Sequence, residues 1–147
     1  MAVRSADFGM RNGRLAMVKN KKHERRNMRN EPLKLRTKQF ALRVIKLVES
    51  LPKDEVSRVL GRQLLRAGTS VGANYRAVCR SKSAADFISK MGTVEEEADE
   101  SGYWMELLVE SGKIKTAMIS ALMQEADELT AIAVSSIITA RKTRSRK

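Results

Sequence analysis

The stretch DEVSRVLGRQLLRAGTSVGANYRAVCR, residues 54–80, decides the fold. Leu60, Leu64, Ala67, Val71, Asn74 and Val78 recur at intervals of four, three, four, three and four, which lines them up on one face of an α-helix. Gly68 and Gly72 lie one turn apart within it. Each costs roughly 1 kcal/mol relative to Ala in a helix interior. The return expected for that cost is close approach of another helix, since no side chain blocks the backbone. Asp54 places a carboxylate at the helix start, where unpaired N–H groups and the positive dipole end favour it.

Helical periodicity continues on both sides. Upstream, a helix is expected over about 33–50, with Phe40, Val44, Leu47 and Leu51 on its stripe and Ala41 and Val48 beside them. Pro52 ends it, because the ring crowds the preceding turn and supplies no N–H. The central helix is expected over 54–80. A third helix is expected over 84–111, opened by a Ser83–Asp86 capping box and stopped by Gly112. Phe87, Met91, Val94, Ala98, Ser101, Met105 and Leu108 form its stripe. A fourth runs over about 115–141, with Ile119, Leu122, Ala126, Leu129, Ala133 and Ser136 facing inward. No strand-like alternation occurs. Four amphipathic helices with short links give an all-α, antiparallel up-down-up-down four-helix bundle.

The chain has 147 residues and a formal charge of +12, unevenly placed. Residues 1–38 hold 12 Lys/Arg against 3 Asp/Glu, and 141–147 hold five Lys/Arg and no acid. Residues 39–140 are nearly neutral, with 12 basic and 14 acidic groups. Residues 1–32 therefore read as a basic disordered tail, 33–140 as the bundle and 141–147 as a second basic tail. Met28 is an alternative start, and translation from it would leave a net charge of +6. Within the bundle the charge divides again. Residues 54–82 carry six basic groups against two acids, while 86–110 carry one Lys against eight acids.

These numbers exclude several functions. One cysteine, Cys79, cannot form an internal disulfide or a thiolate zinc cage, and the single histidine, His23, lies in the basic tail. No nucleophile arrangement, metal-ligand set or glycine-rich phosphate loop is present, so neither an enzyme nor a cofactor is expected. No apolar run reaches the length of a membrane span and no secretory leader is apparent, which makes a cytoplasmic protein the expectation.

An anionic partner fits the charge, with nucleic acid, RNA or DNA, bound without sequence preference. The expected contacts are Arg58, Arg62, Arg76, Arg80 and Lys82, with Arg141, Lys142, Arg144, Arg146 and Lys147 at the end of the chain. Tyr75 is a candidate for stacking on a base. Asn74, on the apolar stripe with Ser70 one turn before it, needs hydrogen-bond partners, and the acidic cluster of the third helix is the expected source. Arg66 and Arg76 border that stripe within reach of Glu96, Glu97 or Glu100. Tyr103 and Trp104 widen the apolar arc of the third helix, which suggests contacts with another copy.

QLLRAGTSVGANYRA (63–77) followed by SAADFISKMGTVEEEADESGYWMELL (83–108) resembles the family of proteins encoded by intervening sequences in bacterial 23S ribosomal RNA genes. The resemblance covers about residues 33–140. The accessory variability determinant of diversity-generating retroelements looks like a relative. The resemblance implies an antiparallel four-helix bundle assembled as a ring-like homopentamer, without catalysis. For the retroelement relative it also implies binding of nucleic acid and of a reverse transcriptase. The matching positions are Arg66, Ser70, Asn74, Arg76, Phe87, Lys90, Glu96, Glu97, Glu100 and Trp104, most of them expected to be structural or interfacial. The resulting expectation is a non-enzymatic, oligomeric nucleic-acid-binding protein. The alternative is a protein-interaction scaffold, such as an accessory subunit for a reverse transcriptase or a partner of a ribosomal component.

Overall fold

A computed structural model describes residues 5–146, with side chains from residue 13 onward except at 14 and 27–29. Four α-helices follow one another: α1 (Ser5–Glu49), α2 (Glu55–Val78), α3 (Ala84–Glu110) and α4 (Thr116–Ser145). No strand occurs among the described residues. The chain divides into two compact units, residues 1–33 and 34–147.

The first unit departs from expectation. Residues 5–32, which the sequence presents as a disordered tail, are helical, and Pro32 lies inside α1. Every side chain described between 13 and 26 is exposed. The physical reason is local: Arg, Lys, Leu, Ala and Met favour helix without needing an apolar face to bury. The C-terminal tail differs in the same way, since α4 runs through 141–145. Residues 1–4 and Lys147 lie outside the described residues.

The second unit holds the core. Phe40 and Val44 from α1, Leu64, Ala67, Val71, Tyr75 and Val78 from α2, and Met91, Val94, Ala98, Met105 and Leu108 from α3 are buried. Ile119, Leu122, Ala126, Leu129, Ala133 and Ile137 complete it from α4. Two stripes drift from the sequence reading. On α2 the buried residue is Tyr75, and Asn74 is only half-buried. On α4 it is Ile137, while Ser136 turns its hydroxyl back to the Ile132 carbonyl at 2.8 Å. A strict seven-residue repeat slips gradually against a straight helix of 3.6 residues per turn, so the row at one edge of a stripe, which ends in Asn74 on α2 and in Ser136 on α4, moves off the face.

The helix ends follow their sequence signals. Asp54 caps α2, its Oδ1 accepting from the Ser57 N–H at 2.9 Å and its Oδ2 from the Ser57 hydroxyl at 2.9 Å. Ser83 caps α3 by accepting from the Asp86 N–H at 3.0 Å. The reciprocal bond is shifted by one residue, because the Asp86 carboxylate accepts from the N–H of Lys82. At the end of α3, Gly112 takes a φ of +74°, and the N–H groups of Gly112 and Lys113 donate to the carbonyls of Val109 and Leu108. That pair of bonds is the Schellman closure, which needs a residue at positive φ.

Glycine sets the seam between α1 and α2. A Cβ placed on Gly68 would lie 2.8 Å from Val44 Cγ2 and 2.9 Å from Val44 Cγ1. On Gly61 it would meet Leu51 at 3.0 Å, and on Gly72 the Thr37 hydroxyl at 3.3 Å. These neighbours, Leu51 just past the end of α1 and then Val44 and Thr37 within it, run backwards along the chain as the glycines run forwards along α2. The close approach expected at Gly68 and Gly72 is therefore made by α1, and Gly61 adds a third point to it. α2 also packs on α3, and α3 on α4.

Candidate nucleic-acid interface

The buried side of α2 dictates what its other side presents. With Leu64, Ala67, Val71 and Val78 turned inward, helical geometry turns Arg58, Arg62 and Arg76 outward on a common face, and Arg80 follows in the turn just past the C-cap Cys79. The three on the helix, residues 58 to 76, span about 27 Å at 1.5 Å per residue. All four are exposed. Arg58 is paired with Glu55 one turn earlier. Arg62, Arg76 and Arg80 enter no ion pair among the described residues. Lys82, in the turn that follows, is exposed and anchored by its backbone N–H to the Asp86 carboxylate at 2.9 Å. Of the C-terminal cations, Arg141, Lys142 and Arg144 are exposed on α4 and Arg146 is its exposed C-cap.

Of the residues expected to be structural, Arg66, Ser70, Asn74, Glu97, Glu100 and Trp104 form a connected set. Arg66 reaches from α2 to Glu97 at 3.4 Å and to Glu100 on α3. Glu100 also accepts from the Trp104 indole N–H at 3.1 Å. The hydrogen bond from Arg66, and then the one from Trp104, hold the Glu100 carboxyl below its ordinary range, and Glu100 in turn raises the Arg66 guanidinium. Ser70 donates to the Arg66 carbonyl at 2.6 Å. Asn74 corrects the sequence reading: its amide donates to the Ser70 carbonyl of its own helix at 2.9 Å, and α3 is not its partner. A half-buried amide at the edge of the stripe finds its own turn closer than the neighbouring helix. Glu96 is exposed and lies outside this set, as does Arg76.

Tyr75 is also corrected. Its ring is buried in the core, so it presents no face to a base. Burial, and then the neighbouring Cys79, push its phenol above the ordinary tyrosine range. Tyr103 is the exposed aromatic among the described residues, its ring 5.0 Å from that of Trp104 and tilted by 59°.

Sequence reasoning anticipated Arg66 with Glu97 and Glu100 but missed the other ion pairs that join distant segments. Arg36 on α1 donates from Nε to Glu125 Oε1 at 2.6 Å and from Nη2 to Glu125 Oε2 at 3.0 Å, and also pairs with Glu128. The fork-shaped guanidinium fits a carboxylate in this two-point manner. Glu125 holds the Arg36 guanidinium above its ordinary value. Lys113 reaches the capping carboxylate of Asp54 at 3.2 Å. No local spacing signals such pairs, since 89 residues separate Arg36 from Glu125. Among the described residues, no group of three or more His, Cys, Asp and Glu could hold a metal ion, and no helix is long and apolar enough to cross a membrane.

Fold and surface thus define an all-helical, four-helix protein with a line of arginines on the outer side of its second helix. The chain belongs to the 23S rRNA-intervening sequence protein family, whose sequence profile matches residues 33–135. It is similar to a crystallised protein of unknown function from the S23 ribosomal protein family of Bacteroides thetaiotaomicron. The two share 34% identity and a TM-score of 0.66 over 71% of this chain and 96% of that one. No curated protein matches the chain.

Proposed function

We propose that this is a non-enzymatic cytoplasmic protein, an antiparallel up-down-up-down bundle assembled as a homopentamer, that binds RNA or DNA through its basic surface without reading sequence. The observation that carries the reading is the outward line of Arg62, Arg76 and Arg80, which no acid of the described chain neutralises. Cations so placed bind by neutralising phosphates and releasing counterions. Repeating the line on several subunits of one assembly adds avidity without any new contact. The family's name supports association with RNA. The opposite order of contacts along α1 and α2 supports the antiparallel arrangement.

Labelled RNA and DNA titrated at several salt concentrations test this. Wild type binds at low salt and weakens steeply as salt rises. The full chain carrying Arg62→Gln, Arg76→Gln and Arg80→Gln shows a shallower salt slope, by about 2–3 units for three lost phosphate contacts. Absence of binding at low salt, or binding indifferent to salt, overturns the reading. Native mass spectrometry tests the assembly, with five times the 16.5 kDa chain mass expected.

A second reading rests on a different surface. Val56 and Val59 on α2 and Tyr103 on α3 are each about half exposed. The Arg66–Glu100 and Asp54–Lys113 pairs bracket these residues along the two helices. An apolar surface of that kind suits a protein partner, such as a reverse transcriptase, a ribosomal component or another copy of the chain. A complex that survives nuclease treatment favours it.

A further inference from the structure

The helix formed by residues 13–26 lies outside the segment matched by the family, so its properties belong to this chain rather than to the shared bundle. It carries six Lys/Arg against one Glu. We infer that this helix is an arm that lies along a groove of paired nucleic acid and contacts phosphates on both walls. The inference rests on the nucleic-acid reading above and names the form of the ligand.

The placement of the cations carries it. Lys19, Lys22 and Arg26 follow a three-four spacing and form one row, while Lys21 and Arg25, four apart, form a second row about 110° round the helix from it. All five are exposed. The exposed apolar residues are interleaved with them. Leu15 falls on the line of Lys19 and Lys22, Met17 lies one turn from Lys21, and Val18 lies one turn from Lys22. A helix that lies on a membrane surface needs one continuous apolar side opposite its charges, and this one has none. Two rows of charge that diverge from one face suit a helix laid into a cleft, where each row meets one negative wall. Fourteen residues of helix measure about 21 Å, which passes about six phosphates on each strand of a duplex. The major groove of B-form DNA admits an α-helix, whereas that of A-form RNA is deep and narrow. An RNA ligand must therefore open its groove at a bulge. The shared chemistry is two facing rows of phosphates, which a single strand does not offer.

The test compares three full-length proteins: wild type, the α2 triple variant above, and Lys19→Gln/Lys21→Gln/Lys22→Gln/Arg25→Gln, with helicity checked by circular dichroism. Gln keeps helix propensity and removes charge. The probes are a 20-base-pair DNA, an RNA hairpin with an internal bulge, single strands of equal length and phosphatidylserine vesicles. At about 0.1 M salt the fourfold variant loses on the order of tenfold or more in affinity for paired probes, with a salt slope shallower by about two or more. Its loss on single strands is smaller. Preference for the DNA or for the bulged RNA identifies which duplex the arm fits. Unchanged duplex affinity and slope in the fourfold variant, with the triple variant impaired, overturn the arm and leave the α2 surface standing. So does an equal loss on single strands, or wild-type binding to vesicles as tight as to duplex. If wild type binds none of the nucleic acids, the underlying reading falls first and the arm with it.

Discussion

Glycines interrupt both α2 and α3, and they stand in opposite surroundings. On α2, Gly61, Gly68 and Gly72 face α1 so closely that an added Cβ meets Leu51, Val44 or Thr37 at 3.3 Å or less. On α3, Gly92 and Gly102 have nothing within 4 Å of that position. The same residue type, with the same cost to helix propensity, is offset by packing in one helix and by nothing among the described residues in the other. A glycine in a helix therefore reports a close neighbour only when it shares the buried side. Gly68 meets that condition, being buried between Leu64 and Val71.

The largest effect that could break this contrast is expected at Gly68. Gly68→Ala forces a methyl group against both Val44 methyls at under 3.0 Å, and those belong to a buried, β-branched side chain with little freedom to turn away. Overpacking costs about 1–3 kcal/mol. Ala returns up to about 1 kcal/mol of helix propensity. A net loss of about 1–2 kcal/mol is expected in urea denaturation. A variant as stable as wild type would show that the α1–α2 seam yields freely.

On α3 the sign reverses and the effect is smaller. Gly92→Ala and Gly102→Ala each remove backbone freedom from the unfolded chain and meet no neighbour, so each gains about 0.5–1 kcal/mol. Thermal denaturation of the single variants measures it. Gly102 precedes the exposed Tyr103, which sharpens the comparison. A gain at Gly92 with a loss at Gly102 would place another copy of the chain against that part of α3.

The contrast also separates what is legible in the sequence from what is not. Apolar periodicity locates all four helices, and Asp54, Ser83 and Gly112 mark ends that the structure keeps. The α1–α2 approach is legible because a glycine on an apolar stripe weakens its helix unless a neighbour packs into the space it leaves. The partner of Asn74 is not, because a difference of one residue in helical phase exchanges Asn74 for Tyr75 at the buried position. Arg36 with Glu125 and Glu128 is illegible for a different reason: two solvated-looking charges acquire a relation only once the helices are packed. The outward arginines of α2 are readable as a set, since the residues that must be buried fix the side they occupy. The N-terminal helix reads as a tail because it lacks an apolar face, and an apolar face is what periodicity detects.

The smallest expected effect concerns a charge at the start of α2, where the contrast between packing and electrostatics can be tested by pH alone. The N–H of Ser57, then its hydroxyl, and then Lys113 favour the ionised Asp54 and lower its pKa from 3.8 to about 2. A carboxyl held lower in the folded than in the unfolded chain binds its proton more weakly when folded. The cap therefore contributes its full stabilisation above about pH 4 and loses it as pH falls towards 2. Asp54→Asn keeps a good capping oxygen but removes the titration. Thermal midpoints measured from pH 5 down to pH 2 should fall more steeply for wild type than for Asp54→Asn, with the two curves converging at the acid end. Gly68→Ala, whose defect is steric, should run parallel to wild type throughout that range. Parallel curves for wild type and Asp54→Asn would mean that the Ser57 and Lys113 contacts do not distinguish the charged carboxyl from the neutral one. The stabilisation at this helix start would then come from the geometry of the cap alone.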